Sequence, residues 1–157
     1  MNEALAIAPA SPVTIQPAGW RDLNPVRELE RMCFPLDAWP LLDMLGVLGL
    51  PSVLRWKAVA DGKTIGFVAA DVRRLTGLAW IATICVHSDY RGRGIGERLL
   101  MVCERNITVP RVRLSLRASN EAALRLYTRC GYSQVGTWVR YYKGGEDALV
   151  MEKKLDN

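Results

Sequence analysis

Val86-His87-Ser88-Asp89-Tyr90-Arg91-Gly92-Arg93-Gly94-Ile95-Gly96 is the stretch from which the rest of this chain can be read. Before it, Leu78 to Val86 is an apolar run of strand length. After it, Ile95 to Asn106 carries Leu99, Leu100 and Cys103 at helical spacing, with Ile107 continuing the stripe. Glycines at a strand-to-helix junction let the backbone turn and approach a ligand closely. Successive N–H groups then face outward at a helix N-terminus, where the dipole also favours an anion. Flanked by Arg91 and Arg93, such a nest predicts a pyrophosphate cradle. Two rival phosphate loops fail. No GxxxxGK[ST] is present, and counting GxGxxG from Gly92 puts Glu97 where the third glycine is required.

Working outward, Val13 to Ala18 reads as a first strand and Arg21 to Cys33 as a helix stopped by Pro35. A second apolar helix covers Trp39 to Leu48, with Pro40 at its start and Gly49-Leu50-Pro51 beyond its end. Val53 to Ala60 and Thr64 to Val72 are strands joined by an Asp61-Gly62 turn. Leu78 to Val86 completes that meander. Beyond the helix from Ile95, Val112 to Leu116 alternates with Arg113, Ser115 and Arg117 as a half-exposed strand. Glu121 to Arg129 is a short helix stopped by Gly131. Thr137 to Tyr142 and Ala148 to Leu155 are expected to close a hairpin across Gly144-Gly145. The order β-α-α-β-β-β-α-β-α-β-β predicts one α+β domain with a mixed central sheet, over residues 13–157. Residues 1–12, rich in Ala and Pro, are expected to form a flexible arm.

Composition narrows the function. The chain has 157 residues, half of them apolar, which suits one globular domain. No signal peptide or membrane-length apolar stretch is visible, so a cytoplasmic protein with no membrane role is expected. Four cysteines lack CxxC spacing and the one histidine cannot complete a zinc site, so no metal is expected. The net charge is +5, but Arg91 to Arg129 alone holds nine Arg against Glu97, Glu104 and Glu121, or 9 − 3 = +6. Such a cluster suits a polyanionic ligand. Single-stranded nucleic acid would call for interleaved aromatics, and only Tyr90 and Tyr127 qualify, so no direct nucleic-acid role is expected.

The glycine loop resembles the R/Q-x-x-G-x-G/A signature of the GNAT acetyltransferases. A second block, Arg117-Ala118-Ser119-Asn120-Glu121-Ala122-Ala123-Leu124-Arg125-Leu126-Tyr127 with Cys130-Gly131-Tyr132, is similar to the R-x-S-N-x-x-A-x-x-L-Y…GF block of its RimI-like branch. Arg140-Tyr141-Tyr142 resembles that branch's R-x-YY hairpin, and Glu146 to Met151 its terminal strand. The resemblance implies a GNAT-like fold, acetyl-CoA as cofactor and transfer of its acetyl group to a primary amine. It also implies a protein or peptide N-terminus as acceptor, a ribosomal protein being among the candidates. By position, it implies that backbone groups of Ile84, Cys85 and Val86 bind the pantetheine arm. Amides of Arg91, Gly92, Arg93, Gly94, Ile95, Gly96 and Glu97 would hold the pyrophosphate, and Asn120 would contact the cofactor. Tyr127 would be the general acid, and Tyr141 and Tyr142 a substrate clamp. Asn120 and Tyr127 lie nearly two helical turns apart, which places them on one face. Asn120 is also a good helix N-cap.

One position departs from the branch. Where it commonly carries Glu as E-V-R-x-S-N, this chain has Ser115. Serine is a poor general base. His87 and Asp71 are the remaining candidates, His87 being more readily a loop residue. An α-amine of pKa about 7.8 is roughly a quarter neutral near physiological pH, against about 0.1% for a lysine near 10.4. That difference is worth roughly 3 kcal/mol to an enzyme without a base, which favours an N-terminal amine. A GNAT enzyme of small amines and a CoA-binding domain without catalysis are the alternatives. A cationic small substrate would favour an acidic pocket, and the only acidic cluster is Glu146-Asp147.

Overall fold

Leu78–Val86 and Arg111–Arg117 are the two strands on which the architecture divides. A computed structural model describes residues 11–156. In chain order the elements are β1 (Thr14–Pro17), α1 (Leu23–Cys33), α2 (Leu41–Gly49), β2 (Val53–Ala60), β3 (Lys63–Arg73) and β4 (Leu78–Val86). They continue with α3 (Ile95–Asn106), β5 (Arg111–Arg117), α4 (Glu121–Arg129), β6 (Ser133–Trp138) and β7 (Ala148–Lys154). The predicted order and the α+β class with a mixed sheet are therefore found. The expected arm at 1–12 lies, except for Ser11 and Pro12, outside the described residues.

The sheet has seven strands in the order β1-β2-β3-β4-β5-β7-β6. Every neighbouring pair is antiparallel except β4 and β5, which α3 connects as a parallel crossover. Helices cover both faces. On one, α3 and α4 pack over Ala58, Val68, Ala70, Ile81, Val112 and Leu114. On the other, α1 and α2 place Val26, Leu29, Met44 and Leu48 against Phe67, Ala69 and Cys85. α3 lies close to the sheet because Gly66 has no side chain: a Cβ there would come within 2.9 Å of Leu99 Cδ1.

β4 changes sides partway along. Ala70 pairs with Ile81 and Ala69 with Thr83, so Ala82 is an extra residue, a bulge. Ile81 consequently packs under α3 and α4, whereas Cys85 packs under α1. The bulge also leaves Ile84 and Val86 against the α3 and α4 layer, at the edge facing β5.

The closing hairpin differs from expectation. β6 is Ser133–Trp138, four residues earlier than the expected Thr137 to Tyr142, and residues 139–147 form a loop. The ladder ends at Trp138 paired with Ala148. Arg140 then enters the left-handed region (φ 51°), and Asp147 Oδ1 accepts its amide at 2.8 Å. Tyr142 N donates to Glu146 O, and Gly145 N to Tyr142 O, closing a separate turn. Tyr141 and Tyr142 thus sit on this loop and not on a strand.

Candidate active site

β4 and β5 pair only from Leu78 to Trp80, against Arg111 to Arg113. Beyond that point β4 stays with β3, as far as Val86 opposite Gly66, and β5 stays with β7, as far as Arg117 opposite Ala148. The strands part and a cleft of about 760 Å³ opens between them. That volume lies within the range of small-molecule sites. Its walls are Ile81–Ile84 of β4, Leu114–Arg117 of β5, and Asn120, Ala123 and Tyr127 of α4. Residues 33–40 before α2 and Tyr141, Tyr142 and Lys143 of the 139–147 loop form the rim.

Tyr127 is buried in this wall, only 6% exposed. Burial, then the neighbouring Tyr142, pushes its phenol well above the ordinary tyrosine range, so at neutral pH it keeps its proton and is not a base. Tyr132 packs 5.8 Å from it, centroid to centroid, and is itself fixed by a 2.8 Å hydrogen bond from its hydroxyl to Glu104 of α3. Asn120 lines the cleft and caps α4, its Oδ1 accepting from Ala123 N at 3.1 Å. Both expectations for Asn120 are therefore geometrically compatible, and the cap alone is worth about 1 kcal/mol.

The glycine loop adjoins the cleft without lining it. Gly92 and Gly94 both take φ +73°, and a Cβ on either would meet nothing within 4 Å, so the outer surface of the loop is open. Gly94 is the N-cap of α3, which directs the first-turn amides of Ile95, Gly96 and Glu97 toward that surface. The flanking arginines turn back onto the protein. Arg91 Nε donates to Val86 O at 3.0 Å, and Arg93 Nη2 to Asp89 O at 3.1 Å. Anion binding at this loop would therefore rest on backbone amides and the helix dipole, with the guanidiniums framing it.

The sequence-level base candidates are occupied elsewhere. His87 Nδ1 accepts from Asp89 N at 3.2 Å, capping a short turn. Asp71 pairs with Arg73 at 2.9 Å and is not on the cleft wall. Ser115 lines the cleft, with Oγ 3.4 Å from the Tyr142 hydroxyl. Three of the nine arginines between Arg91 and Arg129 are met by acids from other segments: Arg111 and Arg113 share Glu152, and Arg117 pairs with Asp37 and Glu146. The charge is concentrated in sequence but much less so in space.

Sequence reasoning missed the 34–40 rim and its anchor. Glu30 is fully buried at the end of α1, and its Oε2 accepts from Trp39 N at 2.9 Å. Burial raises its carboxyl pKa. Helical spacing puts Glu30 on the inward stripe with Val26, Leu29 and Cys33, unlike the exposed Glu28, but nothing in the sequence names its partner. Cys33 closes α1 beside the same rim. It lines the cleft, receives a hydrogen bond from Arg91 Nη2 at 3.5 Å and donates to Val86 O at 3.4 Å. The Cys85 thiol beside it, and then Arg91, hold Cys33 well below the ordinary thiol range, although burial opposes them. Cys85 moves up.

Comparison with known proteins agrees with this geometry. Residues 23–132 match the acetyltransferase (GNAT) family. The N-alpha-acetyltransferase RimI of Mycobacterium tuberculosis is 34% identical over 152 residues, covering 93% of this chain and 95% of that protein. An uncharacterized N-acetyltransferase of Methanocaldococcus jannaschii is 33% identical over 141 residues, covering 87% and 88%. The crystal structure of the ribosomal-protein-S18-alanine N-acetyltransferase from Escherichia coli is similar with a TM-score of 0.82 at 26% identity, over 93% of this chain and 96% of that one. The chain belongs to the GNAT acetyltransferase family. It is an acetyl-CoA-dependent N-acetyltransferase. Among the described residues no helix is long and apolar enough to cross a membrane, and no cluster of potential ligands could hold a metal ion.

The thiol environments predict an order of reaction. Iodoacetamide at neutral pH should alkylate Cys33 first, because Cys103 is pushed up to about 12 and burial raises Cys130 as well. Peptide mapping after a short exposure, from about pH 6 to 9, reads this directly. Faster labelling of Cys130 would contradict the assignment.

Proposed function

We propose that this enzyme acetylates the N-terminal α-amine of a protein or peptide, a ribosomal protein being among the candidates. The observation that carries the reading is Ser115. It faces the cleft where a carboxylate base would stand, and it is backed by a tyrosine hydroxyl instead. An enzyme so built relies on the amine's own acidity, and an α-ammonium near 7.8 loses its proton roughly 400-fold more readily than a lysine near 10.4. The names of the relatives, an N-alpha-acetyltransferase and a ribosomal-protein-alanine acetyltransferase, support the same acceptor class.

The residue roles follow from placement. Acetyl-CoA supplies an acetyl group activated as a thioester. The amides of Arg91, Gly92, Arg93, Gly94, Ile95, Gly96 and Glu97 would hold its pyrophosphate at the N-terminus of α3. The backbone of Ile84, Cys85 and Val86, on the edge of β4 beyond the parting, would take the pantetheine arm, and Asn120 would contact it from α4. Of these, Cys85 has its thiol under α1, so only its backbone is available to the cleft. An acceptor entering between the 33–40 rim and Tyr141 and Tyr142 would bring its amine toward Tyr127. When the nitrogen–carbon bond forms and the carbon–sulfur bond breaks, Tyr127 would give its proton to the departing sulfur, and the proton lost by the acylated nitrogen would pass through solvent to restore the phenol.

Two outcomes are expected. Tyr127→Phe keeps the ring and removes the proton donor, so kcat should fall by roughly 10²-fold while acetyl-CoA affinity is nearly unchanged. An unchanged kcat would show that the thiolate leaves without this acid. Peptides with a free N-terminus should react, and N-terminally blocked peptides carrying lysine should not. With a peptide of titrated pKa, kcat/KM should rise with an apparent pKa near that of its amine, about 7.8. A plateau well below that value would reveal a base in the protein, and equal rates on lysine peptides would overturn the N-terminal assignment.

A further inference from the structure

Arg117 ends β5 where both rim segments come within reach of its side chain. All three of its guanidinium nitrogens are engaged. Nε and Nη2 converge on Asp37 Oδ2 at 2.8 and 2.7 Å, which holds the 34–40 segment. Nη1 donates to Glu146 Oε2 at 2.8 Å and Nη2 to Lys143 O at 3.1 Å, which holds the 139–147 loop. The other Glu146 oxygen accepts from Ser119 N at 2.7 Å, tying that loop to the turn before α4. The Tyr142 ring lies 4.8 Å from the Arg117 guanidinium carbon, and its hydroxyl reaches Ser115.

We propose that Arg117 is the positioning residue of the acceptor site: it fastens the 34–40 segment to the 139–147 loop, and so sets the opening through which the amine enters. The proposal rests on the assignment of this cleft as the place of acetyl transfer.

Three features separate this contact from an ordinary surface ion pair, whose net worth is small. Its three side chains are only 20 to 27% exposed. It is a network and not a pair. It joins segments that are far apart in sequence and have no strand pairing with each other. Ser119 and Arg117 together hold the Glu146 carboxyl down at about 2, and Arg117 is charged at any working pH. The Glu146 arm therefore stays intact across any pH range used for assay. Lysine could not replace the arginine, because one ammonium cannot meet carboxylates of two segments, a carbonyl and a ring face at once.

The consequence is selective. No hydrogen bond or ion pair joins the glycine loop to the Arg117 side chain, and Asn120 keeps its bonds to the Arg117 carbonyl and the Ala123 amide when the guanidinium is removed, so acetyl-CoA affinity should change little. Tyr142 and the 34–40 rim should loosen together. Misplacing an acceptor by about 1 Å costs up to roughly 10²-fold in rate.

The test compares Arg117→Ala, Arg117→Lys, Asp37→Asn and Glu146→Gln in the full chain, by steady-state kinetics, acetyl-CoA titration and amide hydrogen exchange. For Arg117→Ala the acceptor KM should rise about tenfold or more, while acetyl-CoA Kd stays within about twofold. Arg117→Lys should not rescue it. Exchange should quicken in residues 34–40 and 139–147 together. Asp37→Asn and Glu146→Gln should each give part of the effect and add little to Arg117→Ala, as members of one network do. An unchanged acceptor KM, or an equal loss of acetyl-CoA affinity, would overturn the proposal. Should Arg117→Ala not fold, the Asp37→Asn/Glu146→Gln double variant decides by the same KM comparison. If the wild-type enzyme turns over only a small amine, the N-terminal assignment fails, and the clamp is judged on the KM for that amine.

Discussion

Three residue pairs hold β4 to β5, and the active site exists because there are no more. Each strand keeps its other neighbour along its whole length, β4 with β3 and β5 with β7. The twist that each half-sheet accumulates then draws their free edges apart. A parallel pair broken in this way would normally expose a sheet edge. Here α4 fills one side of the gap, with Tyr127 buried at its centre, and two loops cover the other. The bulge at Ala82 sits where the parting begins and turns β4 over, so that Ile84 and Val86 face the α3 and α4 layer while Cys85 seals against α1. One irregularity thus sets both the cleft and the position of the strand beside it.

The surrounding contacts hold this opening at a fixed width. Glu104 on α3 accepts from Tyr132 Oη and from Lys153 Nζ at 2.8 and 2.7 Å, which locks α3, the end of α4 and β7 into one unit behind Tyr127. Gly66 lets Leu99 of α3 sit directly on β3. The 91–97 loop is braced differently: Gly94 caps α3 in a left-handed conformation, and the Arg91 and Arg93 side chains fold back onto Val86 O and Asp89 O. The 34–40 segment and the 139–147 loop, by contrast, are joined through Arg117.

Much of this was legible in the sequence, because the relevant signals are local. The glycine loop, the strand before it and the helix after it carry short-range patterns, and so do the Asn120 cap and the alternation that puts Ser115 on the face opposite Leu114 and Leu116. The failures have a common origin in long-range contacts. Tyr141 and Tyr142 were expected on a strand, but Arg140 in a left-handed conformation and the Asp147 cap release them into a loop. The basic segment fits the polyanionic acetyl-CoA, but its arginines do not form one free surface, because Glu152, Asp37 and Glu146, distant in sequence, pair with Arg111, Arg113 and Arg117. Helical spacing puts Glu30 and Cys33 on the inward stripe of α1 but does not name their partners, since one supports a rim through a backbone amide and the other depends on Arg91 and Cys85.

The account stands on the claim that backbone amides of the 91–97 loop hold acetyl-CoA beside the parted strands. Calorimetric titration of acetyl-CoA into the wild-type protein and into Gly94→Val tests it most directly. Gly94 has open space around a Cβ but a φ of +73°, so valine would distort the loop without crowding a neighbour. The wild type should bind, and the folded variant should lose at least about tenfold in affinity, the range expected for strain of this kind. Equal affinity in the two proteins would contradict the assignment of this loop as the cofactor cradle.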